Sequence, residues 1–268
     1  RSLHDTTPAA LARTDGFLPR WWVDTTGTDT FLVYATGASF AGTDAWTRER
    51  TLLQKVSGVS LGSQSVLTER GSFHGGLSAD RRFLATGYPA AYVLDLYVDD
   101  LIRYFTPPHN GLSDTVQVCN VSSTADPDMS GEVLLVDLGT AESSSLVGRP
   151  YALHEVIFRC NSRVLSSDHV GQYYVSPAWA DSWNYVEWSN HPRYAVALAE
   201  TPDTQAIVII DLQDSSYLEL ARGSSLRDPF LWIDPSALPT VADPYADFGR
   251  YEVPAKAAGQ ETLSGKLH

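Results

Sequence analysis

Five short phrases in this chain share one figure, an apolar residue followed at once or nearly so by Ser or Asp at a turn. They are Trp22-Val23-Asp24, Leu77-Ser78-Ala79-Asp80, Val121-Ser122-Ser123, Trp188-Ser189 and Trp232-Ile233-Asp234-Pro235. The fullest copy runs from Tyr185 through Glu187, Trp188 and Pro192 to Ala197. Its alternation and its Ser-Asn-His-Pro breaker read as a buried strand, a polar turn and a second strand. The apolar anchors recur at intervals of 44 to 67 residues. A hairpin unit repeated on that scale buries its faces only by packing against its neighbours, so the repeat predicts an all-β chain folded as a five-bladed β-propeller.

A second phrase follows the first in the same order. Leu94-Asp95-Leu96, Val136-Asp137-Leu138 and Ile210-Asp211-Leu212 each close a short apolar run. Strands are expected at 30–34, 51–56, 83–87, 92–96 and 156–158, where β-branched and aromatic residues cluster. Residues 1–16 read as an irregular lead-in, with one helical turn at Ala9–Arg13, that is expected to close the last blade and remove an open edge. The propeller is expected over 17–235, with insertions at Gly37–Arg48 (carrying Trp46) and from Thr140 to about Val170, and 236–268 reads as a tail.

Charge narrows the function. With 19 Lys+Arg against 32 Asp+Glu the formal net is −13, which argues against nucleic acid or an anionic membrane surface as the main partner. No apolar run is long enough for a membrane-spanning helix. The opening Arg1-Ser2-Leu3-His4 reads as a mature or excised segment of a larger, multidomain chain. Cys119 and Cys160 allow one disulfide or two small buried hydrophobes, and neither has a neighbour at metal-ligand spacing. No dinucleotide fingerprint and no Gly-x-Ser-x-Gly elbow occurs, so neither cofactor nor metal is expected. Asn120-Val121-Ser122 fits a glycosylation pattern but falls on an expected inner strand, where it reads as coincidence.

The Ser-x-Asp turn in Leu77-Ser78-Ala79-Asp80-Arg81-Arg82-Phe83, alternating with the apolar-Asp-Leu strand, resembles the TolB-type, WD-repeat-like propeller families. Three longer phrases, Pro19–Asp24, His74–Ser78 and Val186–Pro192, resemble the TolB-like region of a paralogous group of large secreted proteins and lipoproteins of fibre-degrading gut bacteria. That resemblance implies an exported bacterial setting (secreted, periplasmic or cell-surface) near plant polysaccharide. It implies no reaction and carries over no catalytic residue.

In a propeller, the first strand of each blade lines the central channel, and polar groups there can converge on a small ligand. Reading back from the anchors gives Arg20 and Trp21, then His74 with Gly75 and Gly76, Asn120 or Gln117, Glu187 and Asp228. Trp46, Trp179 and Trp183 fall in loop-like sequence, and exposed rings beside carboxylates suit the faces of a sugar. The expected function is a polysaccharide- or oligosaccharide-binding module using Arg20, Trp21, His74, Asn120, Trp183, Glu187 and Asp228. A glycoside hydrolase is the alternative. It requires two carboxylates across the scissile bond, for which Glu187 and Asp228 are the candidates, with His74 adjusting a pKa and Glu155 and Asp181 in reserve. The third reading is a protein-interaction scaffold of the TolB-like type. The plain counterpart is that Arg20 pairs with Glu187 or Asp228 merely to neutralise a buried charge.

Overall fold

The computed structural model describes residues 17–24, 29–36, 49–72, 76–87, 91–105, 118–124, 134–138, 151–152, 154–160 and 170–233. They form fifteen strands with no helix among them, and so no described helix long and apolar enough to cross a membrane. The chain divides into two compact units, Arg1–Ser72 and Phe73–His268.

The first unit holds one sheet: β1 (Phe17–Val23), β2 (Thr30–Ala35), β3 (Thr51–Ser57) and β4 (Ser60–Thr68), paired antiparallel in chain order. Its middle strands bury Leu32, Val33, Tyr34 and Leu53, while β4 lies largely exposed. The tight β3–β4 turn is made by Gly58 at φ 60, a conformation that costs glycine little. A polar chain staples the sheet: Gln64 donates to the Tyr34 hydroxyl (2.7 Å), which donates to Gln54 (2.9 Å), which donates to the Gly62 carbonyl (2.7 Å).

The second unit holds three sheets. One comprises β5 (Phe83–Thr86), β6 (Ala91–Asp95) and β7 (Asp100–Phe105), with Leu77 bridging to Leu84 as a rudimentary inner strand. The next comprises β8 (Val118–Ser123), β9 (Leu134–Leu138), β10 (Val156–Cys160) and β11 (Val170–Val175). The last comprises β12 (Ser182–Trp188), β13 (Tyr194–Glu200), β14 (Gln205–Asp211) and β15 (Ser216–Gly223). Each is an antiparallel meander. The innermost strand β8 packs against both β5 and β12, so it links the three sheets.

The core lies between the last two sheets. Ile157 and Tyr174 pack against Trp183, Val186 and Trp188 and a run of Ala195, Ala197, Ala199, Ala206, Val208, Ile210 and Leu212. β13 is covered on both faces, which is why it reads as nearly unbroken apolar sequence rather than as alternation. Its alanines leave room for the two indole rings.

The sheets correct three expectations and bear on a point left open, the pairing of Cys119 with Cys160. Asp137 stands on β9, a second strand, whereas Asp95 and Asp211 end third strands, so the third copy of the apolar-Asp-Leu phrase is not equivalent to the others. Ser123 pairs with Leu134 as Trp188 pairs with Ala195, which makes Ser123, not Val121, the counterpart of Trp188. Trp232, expected as a buried fifth anchor, is 42% exposed and outside every described strand. Cys119 and Cys160 lie on β8 and β10 with β9 between them. Two strand spacings separate those backbones by about 10 Å, beyond the reach of a disulfide. The lead-in, the first insertion, the tail, Trp46, His74 and Gln117 fall outside the described residues, whereas the described part of the expected second insertion supplies β10 and the start of β11 and so belongs to the β8–β11 sheet.

Candidate functional site

The inner strands of the second unit bring three equivalent positions together. Asn120 and Tyr185 both adopt positive φ, 50° each, at a bulge in β8 and in β12. Ser122 and Glu187 each stand two residues beyond. Ser78 and Ser189 open equivalent turns, their amides donating to Phe83 and Tyr194 carbonyls at 2.8 and 3.0 Å, and Gly76 and Glu187 each stand two residues before. Gly76, Ser122 and Glu187 therefore share one level, and they converge. The Ser122 hydroxyl reaches Glu187 Oε1 at 3.4 Å and accepts the Trp188 amide at 2.9 Å. A Cβ placed on Gly76 would lie 3.5 Å from Glu187 Oε1, 3.5 Å from the Ser123 amide nitrogen and 3.7 Å from Ser122 Oγ. These are ordinary van der Waals separations, so the three residues are near neighbours with space for a methyl group at Gly76.

The surrounding polar groups join one inner strand to the next. The Ser123 hydroxyl donates to the Gly76 carbonyl at 3.4 Å. Asn120, buried, accepts the Tyr185 amide at 3.2 Å; that burial agrees with reading its glycosylation pattern as coincidence. The Arg159 guanidinium lies 5.3 Å from the Trp188 ring, and the Tyr174 hydroxyl donates to the Leu212 carbonyl at 2.8 Å. Burial pushes the Tyr174 hydroxyl well above its ordinary pKa. Each such bond contributes about 1 kcal/mol, so the cluster serves first to fix three strands in register.

Each expected site residue among the described residues has a definite place. Glu187 and Asn120 are buried within the cluster. Arg20 is buried and Trp21 half-buried on β1, in the other unit. Asp228 follows β15 at φ 39, beside Arg227, which donates to the Tyr185 hydroxyl at 3.1 Å. Trp183 is a correction. It lies within β12 rather than a loop, is 2% exposed, and donates its indole N–H to the Tyr174 carbonyl at 3.1 Å. Its ring is core, not a sugar platform. Trp179 is half-buried under Arg222, whose guanidinium lies 4.0 Å from the ring. Of the reserve carboxylates, Glu155 accepts the Ala152 amide at 2.7 Å and Asp181 is exposed.

Ser122 escaped the sequence reading, which named Gly76 beside His74 but not the groups it meets. The signal was the two-residue offset of each from a turn serine or a bulge, which is visible only once strand register is known. Also unforeseen is a clamp repeated at the sheet ends. Arg82 grips Asp95 (2.7 and 3.1 Å) and Arg193 grips Asp211 (2.6 to 2.9 Å), each arginine directly preceding a second strand and each aspartate closing a third. The first unit has a related pair of reversed sign, Asp29 with Lys55 at 2.6 Å.

No protein-family model matches the chain, and no curated protein sequence matches it. Among solved structures it is similar to TolB from Acinetobacter baumannii, at 14% identity and a TM-score of 0.45, over 75% of this chain and 42% of that one. It is similar to the putative TolB from Agrobacterium tumefaciens at 11% identity and a TM-score of 0.45, over 79% and 68%. The WD40 repeats of RRP9 follow at 10% and 0.38, over 74% and 49%. The chain thus spans well under half the length of the A. baumannii protein.

Proposed function

We propose that this chain is a non-catalytic protein-interaction scaffold of propeller type, with binding carried by its exposed surface rather than by its inner strands. The observation behind this reading is the packing of the Gly76, Ser122 and Glu187 cluster. The three groups stand close together, and the hydrogen bonds of the Ser122 hydroxyl run between strands, to the Glu187 carboxylate and the Trp188 amide. A hydrolase needs a second carboxylate facing the first across room for a sugar. Among the described residues bonded or packed at this cluster, Glu187 is the one carboxylate.

A fifth blade belongs to the same proposal. Asn190, at the turn after β12, exchanges a pair of hydrogen bonds with Ile233, 2.8 Å to its carbonyl and 2.7 Å from its amide. This pairing supports 230–233 as the start of one more inner strand beside β12. The exported setting implied by the sequence resemblance would place the partner outside the cytoplasm.

The polysaccharide reading retains one observation in its favour, the exposed ring of Trp232. An experiment separates the readings. Immobilised full-length chain is challenged with soluble plant polysaccharides and, in parallel, assayed for newly released reducing ends, in the wild type and in Glu187→Gln. The scaffold reading expects neither retention nor cleavage. Retention without cleavage would establish the glycan module, and cleavage abolished in Glu187→Gln would establish the hydrolase.

A further inference from the structure

The two hairpins that close the third strands of the β5–β7 and β12–β15 sheets are the same turn. In one, Asp95 pairs with Asp100; in the other, Asp211 pairs with Ser216. The Leu96 amide bonds the Arg82 carbonyl and the Leu212 amide bonds the Arg193 carbonyl, both at 2.8 Å. The Tyr97 amide donates to Asp95 Oδ1 and the Gln213 amide to Asp211 Oδ1, both at 3.0 Å. Asp99 and Ser215 occupy the same left-handed position, at φ 51 and 54. Backbone, clamp and strained residue all correspond, so the residues between can be compared one to one.

They differ in kind. Gln213 and Asp214 stand where the other hairpin carries Tyr97 and Val98, which are 73% and 67% exposed. The turn therefore needs no apolar side chain at either position, since its twin forms with a glutamine and an aspartate. The Arg82 guanidinium, held by Asp95, lies 5.7 Å from the Tyr97 ring and 4.7 Å from the Phe83 ring, and such cation–π contact modestly favours one position of an exposed ring. A solvent-facing tyrosine with an aliphatic neighbour is a residue type on which protein interfaces concentrate their affinity.

We infer that the Tyr97-Val98 tip is a docking knob for a protein partner that offers an apolar pocket bordered by Lys or Arg. The charge follows from the tip's surroundings. Asp99 and Asp100 follow directly and are exposed, and the adjoining turn sets Asp80 against Arg81 while Arg82 is held by Asp95. The chain as a whole stands at −13. An acidic rim around an apolar tip steers and orients a basic-rimmed pocket and repels an acidic one. This assignment rests on the scaffold reading and gives it a site and a partner chemistry.

The test uses the full chain as bait for a phage-displayed random-peptide library, because such libraries converge on the surfaces best prepared to bind. Selected peptides are expected to combine aromatic or aliphatic residues with Lys or Arg, and to lose affinity several-fold in high salt. Tyr97→Gln/Val98→Asp, which installs the residues of the twin turn and should leave the thermal midpoint unchanged, is expected to weaken them by about tenfold or more. Asp99→Asn/Asp100→Asn should weaken them by a few-fold and flatten the salt dependence. Peptides that bind Tyr97→Gln/Val98→Asp as well as wild type would overturn the knob and leave the scaffold reading standing. Retention of a soluble plant polysaccharide on the same surface would overturn the scaffold reading whatever the peptides do.

Discussion

The turns of the β5–β7 and β12–β15 sheets share a scaffold of hydrogen bonds and differ in how deeply that scaffold is set. Arg193 spreads two nitrogens over both oxygens of Asp211 and reaches on to Asp214 at 2.7 Å. Arg82 places both its nitrogens on one oxygen of Asp95 and stands twice as far into solvent. Leu212, fully buried, follows one aspartate into the core; Leu96 follows the other and is only partly covered. The same device is thus a keystone in one sheet and a platform in the other, and where the structure relies on it less, its tip carries the exposed apolar residues.

The sharpest way to break this comparison is to cut both clamps. Asp211→Ala removes the carboxylate that holds Arg193 and caps the Gln213 and Asp214 amides. Stripping one partner from a buried pair should cost about 3 kcal/mol, read as a fall in urea midpoint at unchanged slope. Asp95→Ala should lose clearly less, since water replaces its partner on the open side. Equal losses would show that exposure of the arginine does not set the value of the clamp.

Next in size is the leucine beside each aspartate. Leu212→Ala should cost about 3 kcal/mol, because the methyl groups leave a cavity among Ile157, Trp188 and their neighbours that a rigid sheet junction cannot close. Leu96→Ala should cost roughly 1 kcal/mol or less, in keeping with its partial exposure. The measurement is again chemical unfolding, and a reversed order would refute the keystone–platform distinction.

These two sheets were also the legible part of the sequence. The Ser-turn and the apolar-Asp-Leu phrase are visible in them because clamp and turn form from residues near one another in the chain. Arg82 meets Asp95, and Arg193 meets Asp211, across a single strand pair. In the β8–β11 sheet the phrase falls on β9 instead, and no reading of composition separates a second strand from a third. Trp183 was misplaced for a related reason. The bulge between Asn184 and Glu187 shifts the pleat, so the ring belongs to the core although strict alternation across Tyr185 does not place it there. Strand β4 went unread because it is wetted and polar, as Ser60-Leu61-Gly62-Ser63-Gln64-Ser65 shows. Glu187 and Gly76 were both found, but not that they meet, and Ser122 is an ordinary residue until register sets it beside them.

The left-handed residue of each turn offers a smaller, cleaner test. Asp99 at φ 51 and Ser215 at φ 54 adopt a conformation that disfavours most side chains, with Asp tolerated better than Ser. Ser215→Gly should stabilise the protein by about 0.5 kcal/mol after the flexibility that glycine adds to the unfolded chain is counted. Asp99→Gly should gain less. A thermal midpoint that rises more for Asp99→Gly than for Ser215→Gly would mean that strain is not what distinguishes the two positions.

The smallest expected effect comes from the start of each turn, where one sheet uses a carboxylate and the other an imidazole for the same task. Asp80 Oδ1 accepts the Arg82 amide at 3.1 Å, and His191 Nδ1 accepts the Arg193 amide at 3.2 Å. Only a neutral imidazole can accept there. Burial, and after it the Arg193 cation, hold His191 below its ordinary value of 6.5, with Asp211 partly opposing. Because the folded protein binds this proton less readily than the unfolded chain, the stability contributed by neutral His191 is complete above about pH 6.5 and declines as pH falls below it. Half-burial keeps the effect small in global unfolding, so the decisive measurement is local. Amide exchange at Arg193, corrected for intrinsic rates, should quicken on going from pH 7 to pH 5, while the Arg82 amide, held by a carboxylate, keeps its protection. His191→Asp, which copies the other turn, should abolish the difference. If the Arg193 amide is as well protected at pH 5 as at pH 7, the imidazole is not the acceptor on which that turn depends.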